Sequence, residues 1–171
     1  MTFELATKEG ATKAELYSGL ANQLRSLLEG ERDSVANMAN FASLLFYSLP
    51  DLNWSGFYLL KGKQLVLGPF QGKPACIRIP VGEGVCGTAA ARRETILVQN
   101  VHEFPGHIAC DSASNSEIVV PIVAGEEFVG VLDLDSPLVS RFDEDDAKGL
   151  NELVKIFIEA TDLGQAGKNH D

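Results

Sequence analysis

The sequence is poor in basic residues and has no long apolar run. It contains 14 Lys and Arg against 24 Asp and Glu, which gives a formal net charge of −10. Binding to a phosphate backbone requires clustered Lys and Arg, so we expect no nucleic-acid partner. No apolar run approaches the roughly 20 residues of a membrane-spanning helix, and the N-terminus lacks the apolar segment of a signal peptide. We therefore expect a cytoplasmic protein without a membrane partner.

Cysteine is also scarce, with Cys76, Cys86 and Cys110 as the only three. Cytosolic thiols are kept reduced, and three is an odd number, so a structural disulfide framework is not expected. The three cysteines are therefore expected to be buried thiols, metal ligands or members of a transient catalytic disulfide. Structural zinc ligands usually come in close pairs. The spacings of ten and twenty-four positions do not fit this pattern, although His102 or His107 could complete a ligand set.

The rest of the composition, 45% hydrophobic and 22% charged, is that of a globular protein. We predict a single domain over residues 1–171. Helical periodicity predicts two N-terminal helices within about 12–49, beginning at a capping box formed by Thr12 and Glu15, and a C-terminal helix over about 143–163. The positions predicted to face the core are Leu16, Leu20, Leu24, Leu27 or Leu28, Val35, Met38, Ala39, Phe41, Leu44, Leu45, Leu150, Leu153, Val154, Phe157 and Ile158.

Between about 53 and 136 the periodicity is that of short strands and active-site loops. The runs 54–60 and 64–70 flank a Lys-Gly-Lys turn and predict a hairpin. Further strands are predicted at 76–80, 95–98, 117–123 and 128–135, with a short helix at 85–93. Hairpin-like connections favour an α+β fold, a mainly antiparallel central sheet of about six strands with helices packed on it.

The segment 100–116 is polar and has no apolar period, which in a compact domain is typical of a functional loop. Cys110 lies in it, three residues after His107 and beside Asp111. A thiol near an imidazolium can be partly ionised, and so can Cys86 at a predicted helix N-terminus. A cysteine can equally be a small buried hydrophobe, so the residues alone leave a redox role open.

Three carboxylates interrupt otherwise apolar strands. Glu117 opens one strand, and Asp133 and Asp135 share a face of another because strand side chains alternate. Buried without partners, they would be destabilising. They are therefore either solvated edge residues or the lining of a pocket. Trp54, the single tryptophan, is by itself most simply a core or interface aromatic.

Together these motifs resemble the GAF-domain free methionine-(R)-sulfoxide reductases. The resemblance covers about residues 54–142 and includes all three cysteine positions. It implies a GAF-type domain that reduces free L-methionine (R)-S-oxide with thiols, without a cofactor or a metal ion. The matching stretches are Trp54-Ser-Gly-Phe-Tyr58, Gly68-Pro-Phe-Gln-Gly72, Cys76, Gly82-Glu-Gly-Val-Cys86-Gly87, Val98-Gln-Asn-Val101, His107-Ile-Ala-Cys110-Asp111, Glu117-Ile-Val-Val-Pro121 and Gly130-Val-Leu-Asp-Leu-Asp-Ser136.

The same resemblance implies a role for each cysteine. Cys110 would attack the sulfoxide sulfur and become a sulfenic acid. Cys76, as first choice, or Cys86, as second, would condense with it to a disulfide, which thioredoxin would reduce. Spatial distance decides between the two resolving candidates, so the sequence leaves both open.

The resemblance also implies a substrate pocket. Asp135 and Glu117 would lie near the sulfoxide oxygen, and Asp133 toward the substrate ammonium. Trp54 and Tyr58 would form the apolar wall around the methyl-sulfur end. Backbone N–H groups between about 111 and 116 are our candidate for binding the substrate carboxylate.

Two other classes of protein are alternatives to this enzyme. The first is a stand-alone GAF sensor that binds a cyclic nucleotide or a tetrapyrrole, and the second is a structural metal-binding domain. An acidic pocket disfavours phosphates, and Cys110 is followed by Asp111 rather than by the histidine expected of a tetrapyrrole site. We also expect no output module after the domain. Leucine stripes on the outer helices, together with the resemblance, predict a homodimer.

Overall fold

The structure, a computed structural model, describes residues 10–108 and 110–164. These residues form four α-helices and six strands, and a short 3₁₀ helix, Val101–Glu103, precedes the fifth strand. The helices are α1 (Lys13–Leu28), α2 (Ser34–Ser48), α3 (Gly84–Arg92) and α4 (Glu144–Ala160); the strands are β1 (Trp54–Lys61), β2 (Gln64–Gly72), β3 (Arg78–Pro80), β4 (Ile96–Val98), β5 (Ser116–Ala124) and β6 (Glu127–Ser136).

The strands form one sheet in the order β3-β2-β1-β6-β5-β4. Every neighbouring pair is antiparallel, and β1–β2 and β5–β6 are the hairpins that join consecutive strands. The predicted α+β fold with a six-stranded antiparallel sheet is confirmed. The third strand is shorter than the predicted 76–80, because Cys76 lies in the loop before it.

One face of the sheet is covered by α1, α2 and α4. The predicted capping box starts α1, where the Thr12 hydroxyl accepts a hydrogen bond from the Glu15 backbone and the Glu15 carboxylate accepts one from Thr12 N–H. Asp143 caps α4 in the same way. Such caps satisfy backbone donors that the first helical turn leaves unpaired.

Most of the residues predicted to face the core do so, but two in α2 do not. Val35 is 60% exposed, and Ala39 is exposed as well. The buried stripe follows Met38, Phe41 and Leu45, a spacing that leaves Ala39 on the outer side. Val35 lies in the first turn, before this stripe begins. Both predictions were therefore wrong.

The leucine stripe of α1 packs inside the chain. Leu20, Leu24 and Leu28 are each at most 2% exposed and belong to the core between the helices and the sheet. These side chains are therefore not available for contact with a second subunit. None of the described helices combines the length and the apolar character needed to cross a membrane.

The opposite face of the sheet carries α3 and the loops that contain the cysteines. Alternation along β6 divides its side chains between the two faces. Leu132 and Leu134 belong to the helix-covered core, whereas Val131 packs in the second cluster under α3. Asp133 and Asp135 follow Val131 at alternate positions of β6. Their side chains therefore lie on the same face of the sheet as Val131, opposite the face that the three long helices cover.

Candidate active site

The register of the sheet gathers side chains from three strands into one row. Trp54 on β1 lies opposite Asp135 on β6, which in turn lies opposite Glu117 on β5. Two residues before Asp135 on the same strand, Asp133 lies opposite Gly56. Adjacent strands are separated by about 4.8 Å, so the three carboxylates are close neighbours on one face.

A cavity of about 30 Å³ lies over this row, beneath the N-terminus of α3 and the loop after β4. Glu117 and Asp133 line it and are each only 6% exposed, so the interpretation of these two as solvated edge carboxylates was wrong. Seven of the eight predicted site residues line the cavity: Trp54, Tyr58, Cys86, Cys110, Glu117, Asp133 and Asp135.

The eighth predicted residue, Cys76, is bonded to Cys110. Their sulfurs form a disulfide with a Cα–Cα distance of 5.4 Å, closing a separation of 34 residues. The two cysteines come from the loop before β3 and from the long polar loop before β5. The structure therefore joins the first-choice pair of cysteines and not the pair that includes Cys86, which is a free, buried thiol.

Cys86 lies in the first turn of α3, and its Sγ is 3.9 Å from Oε1 of Glu117. Its position at a helix N-terminus predicted a lowered thiol pKa, and this prediction was wrong. Burial raises the pKa of the Cys86 thiol well above its ordinary value, and the nearby Asp133 carboxylate raises it further. The helix dipole is outweighed because the thiolate would be enclosed among carboxylates.

Burial raises the pKa of all three carboxyl groups in the row well above the ordinary range. For Glu117 the second cause is the charge of Asp135, and for Asp133 it is the charge of Glu117. The pKa of Asp135 is raised by burial and then by Asp133. Crowded like charges cannot all ionise together. The cluster can therefore hold a proton near neutral pH and donate it.

His107 faces this cluster from the polar loop, with Nε2 3.6 Å from Oε2 of Glu117. Burial lowers the pKa of His107. The ring is therefore neutral at pH 7, and the contact with Glu117 is not an ion pair. A neutral ring does not support the predicted activation of Cys110 by an imidazolium.

Three aromatic rings form one wall beside the row. The ring of Trp54 stacks on Phe70 at 5.3 Å between centroids and on Tyr58 at 5.8 Å. The Tyr58 hydroxyl donates to the Cys76 carbonyl at 2.9 Å, linking the wall to the disulfide loop. Gly56 leaves room for this stack, because a Cβ there would overlap both Trp54 and Phe70. Sequence reasoning missed Phe70, although it lies within one of the quoted motifs.

The loop after the disulfide is held to the start of β1 by polar contacts. Asp111 accepts hydrogen bonds from Ala113 N–H at 2.9 Å and from the Asn53 amide at 3.3 Å, and its carboxylate lies 3.6 Å from Lys73 Nζ. The Ala113 N–H is the main cause of the lowered Asp111 pKa. Asn53 also donates to Ser114 Oγ at 3.0 Å. Sequence reasoning missed Asn53 and Lys73, which no pattern distinguishes from other polar residues.

The chain is similar in sequence to known proteins. The GAF domain family model matches residues 14–157. The free methionine-R-sulfoxide reductase of Escherichia coli is 54% identical over 142 residues, which are 83% of this chain and 86% of that protein. The enzyme of the same name from Saccharomyces cerevisiae is 41% identical over 153 residues, 85% of each chain.

A solved structure gives the same relationship in three dimensions. The free methionine-R-sulfoxide reductase from Neisseria meningitidis, in complex with its substrate, superposes with a TM-score of 0.86 at 45% identity. The match covers 92% of this chain and 95% of that one. With a family model over most of its length and relatives at this identity, the chain belongs to the GAF-domain family of free methionine-R-sulfoxide reductases.

Proposed function

We propose that this protein reduces free methionine-R-sulfoxide to methionine, using Cys110 as nucleophile and Cys76 as resolving cysteine. The single observation that carries the proposal is the Cys76–Cys110 disulfide beside a cavity lined by three carboxyl groups. The membership of the chain among free methionine-R-sulfoxide reductases supports the substrate. Cytosolic redox chemistry is consistent with a reversible disulfide at such a site.

The first step is a two-electron transfer from sulfur to sulfur. The Cys110 thiolate attacks the sulfoxide sulfur, and the oxygen is transferred to Cys110 as a sulfenic acid while methionine leaves. The sulfoxide oxygen must be protonated as the S–O bond is polarised. We assign this proton to the coupled pair Glu117 and Asp135, whose pKa values are raised by burial and by the neighbouring carboxylates.

Substrate orientation follows from the two sides of the cavity. Asp133 is the third carboxyl in the row and is the counterion that we assign to the substrate ammonium. The wall formed by Trp54 and Tyr58 receives the methyl-sulfur end, since an apolar surface suits a methyl group. The backbone N–H groups that follow Asp111 are our candidate for the substrate carboxylate.

The second step restores the thiols. The Cys76 thiol attacks the sulfenic sulfur of Cys110, releases water and forms the disulfide. Thioredoxin, which we propose as the reductant in the cytoplasm, then supplies two electrons and two protons. Ile77 beside the disulfide is 69% exposed, so this part of the loop is open to a docking protein.

The cavity in the disulfide form accounts for the order of these events. A volume of about 30 Å³ is room for about two water molecules, which is too small for an amino acid. The disulfide ties the two loops beside the cavity together. We therefore expect the substrate to enter only after reduction releases the Cys110 loop from Cys76.

The test is consumption of NADPH with thioredoxin and thioredoxin reductase. Free methionine R-sulfoxide, free S-sulfoxide and a peptide-bound R-sulfoxide are supplied in parallel. We expect turnover of the free R form alone and no turnover by Cys110→Ser. If reduced, folded wild type fails to turn over the free R form, the proposed function is overturned.

Two further variants separate the resolving cysteine from the buried one. Cys76→Ser should release one equivalent of methionine and then stop with thioredoxin, because the sulfenic acid has no partner. Cys86→Ser should still turn over repeatedly, since Cys76 and Cys110 can pair. If Cys76→Ser turned over repeatedly and Cys86→Ser stopped after one equivalent, Cys86 would be the resolving cysteine.

We also propose that the protein is a homodimer. A homodimer would have to use surfaces other than the α1 leucines, which fill the core. Val35 and Tyr47 of α2 are 60% and 63% exposed and are the apolar side chains that this helix offers. Light scattering of wild type and of Tyr47→Lys would test the proposal. A monomeric wild type would exclude the homodimer.

A further inference from the structure

We propose that Cys86, Glu117 and Asp133 form a binding site for a divalent transition-metal ion such as zinc, and that an ion there blocks the catalytic cavity. The three side chains each offer one donor atom, and these atoms lie within 4.8 Å of one another. All three residues are buried. The set combines a soft thiolate with two carboxylate oxygens, a mixture that zinc accepts.

A second observation points to a cation independently of this clustering. Asp133 is 6% exposed, lines the cavity, and its Oδ1 makes no hydrogen bond to any of the described residues. A buried carboxylate oxygen without a donor is destabilising. A bound cation would supply the missing partner, since metal coordination is one of the ways in which proteins satisfy buried charges.

The electrostatic surroundings agree with this assignment. Among the ion pairs of the described residues, no Lys or Arg pairs with Glu117 or Asp133. These three groups could ionise together only beside a cation, because the anions would otherwise repel one another. An ion with two positive charges would offset most of that repulsion, which a hydrogen-bonded water molecule cannot do.

The geometry favours zinc or cobalt over magnesium or calcium. The Cys86 Sγ and Glu117 Oε1 atoms are 3.9 Å apart, and bonds of about 2.0 to 2.3 Å would draw the donors together by small side-chain rotations. Magnesium and calcium prefer all-oxygen sites, whereas a thiolate selects softer metals.

This site differs from a set of three cysteine ligands, because Cys76 and Cys110 are not needed. It is therefore available in the disulfide form as well as in the reduced form. Binding does not depend on the proposed reductase activity. Inhibition does rest on that function, because the ion would occupy the carboxylates that we assign to the sulfoxide oxygen and the ammonium.

Cobalt(II) serves as the spectroscopic probe of binding. The full chain is oxidised to the disulfide form, confirmed by its mass, and titrated with cobalt. We expect one equivalent to bind, with the near-ultraviolet absorption of a thiolate–cobalt bond. Zinc should displace the cobalt and abolish that absorption.

Three variants decide whether the ligands are those assigned. Cys86→Ser should lose the thiolate absorption, and Asp133→Asn should weaken binding at least about tenfold while circular dichroism shows an unchanged fold. Glu127→Gln, an exposed carboxylate at the β5–β6 turn, is the matched control and should bind like wild type. Binding to wild type without thiolate absorption, or equal binding by Cys86→Ser, would overturn the site.

The activity measurement is kept separate from the binding measurement. If the reductase is active, zinc should inhibit wild type and the Glu127→Gln control at the concentration that displaces cobalt. Cobalt binding without sulfoxide reduction would leave the metal site established and the reductase proposal overturned. Active enzyme that binds no cobalt would support the reductase proposal and overturn the metal site.

Discussion

The buried carboxylates of this molecule have two opposite kinds of surroundings. Asp146, at the start of α4 and 1% exposed, accepts a hydrogen bond from the Tyr17 hydroxyl at 2.9 Å and pairs with Lys13 at 2.6 Å and with Arg141 at 3.3 Å. We call this group the helix anchor, comprising Lys13, Tyr17, Arg141, Asp143 and Asp146. The pocket carboxylates, Glu117, Asp133 and Asp135, have no such cations among the described residues.

The different surroundings of the two groups indicate different roles, stability for the helix anchor and function for the pocket carboxylates. In the helix anchor every charge has a partner, and the contacts join α1, α4 and the segment between β6 and α4. In the pocket carboxylates, burial and repulsion raise the pKa values. Such unbalanced groups are retained in proteins chiefly at functional sites. The helix anchor should therefore respond to mutation in stability, and the pocket carboxylates in activity.

The largest expected effect is on catalysis by Glu117→Gln. Glutamine keeps the size of the side chain but cannot supply a proton from a carboxyl group. Loss of general acid catalysis typically costs about 10²- to 10⁴-fold in rate. We expect kcat/KM for free methionine R-sulfoxide to fall within that range in the thioredoxin-coupled assay. The free energy of unfolding should stay the same or rise, because the change removes a buried carboxyl that no Lys or Arg of the described residues neutralises.

Asp146→Asn is the matched control, a change of one carboxyl to an amide in the helix anchor. It should leave kcat/KM of the folded protein within about twofold, measured well below the thermal transition. Equal losses of activity in the two variants would mean that Glu117 acts through the fold. The distinction between the two groups would then be lost.

Asp146→Asn should instead show the second-largest effect, a loss of stability. Removing its charge leaves Arg141, whose side chain is 9% exposed, buried without a full counterion. Breaking a buried pair in this way costs about 3–5 kcal/mol. Denaturant unfolding of the two proteins would measure the difference. A loss below about 1 kcal/mol would show that the helix anchor behaves like a surface ion pair.

The comparison also shows what the sequence could predict. Periodicity and turn residues located the helices and strands, because these patterns are local. The capping box at Thr12 was predictable for the same reason. Strand alternation predicted that Asp133 and Asp135 share a face, but not that this face lines a buried cavity. The motif resemblance is the basis of the nucleophile role that we propose for Cys110.

The features that the sequence did not predict depend on contacts between distant segments. No local pattern indicates that Asn53 reaches Ser114, or that Asp146 gathers cations from two other segments. The thiol pKa of Cys86 was predicted in the wrong direction because its burial and its carboxylate neighbours on β5 and β6 depend on the tertiary fold. Exposure of Val35 depended on where α2 meets the sheet.

The pH dependence of stability should distinguish the two groups by sign. The raised folded-state pKa of Glu117 means that its contribution to stability is full below its unfolded value near 4.5. That contribution is lost as pH rises toward the folded pKa. Wild type should therefore lose up to about 1.4 kcal/mol per pH unit above pH 4.5 relative to Glu117→Gln. Parallel curves for the two proteins between pH 4.5 and 8 would contradict the raised pKa.

Asp143 should show the opposite trend. The hydrogen bond from Lys13 is the main cause of its lowered pKa. Its contribution is thus present above the unfolded value near 3.8 and is lost as pH falls through the folded pKa. Asp143→Asn and wild type should converge in stability only at the acid end of the titration. Convergence at neutral pH instead would remove Asp143 from the helix anchor.

The smallest effect is expected for Lys13→Gln in the helix anchor. Its Nζ lies 2.6 Å from both Asp143 and Asp146, yet its side chain is 33% exposed. Solvent screens such a pair, and exposed pairs contribute about 0.2 to 1 kcal/mol. We expect a loss of stability in this range, reduced further in 1 M salt because screening is then nearly complete. A salt-independent loss as large as that of Asp146→Asn would mean that Lys13, and not Arg141, neutralises the buried Asp146.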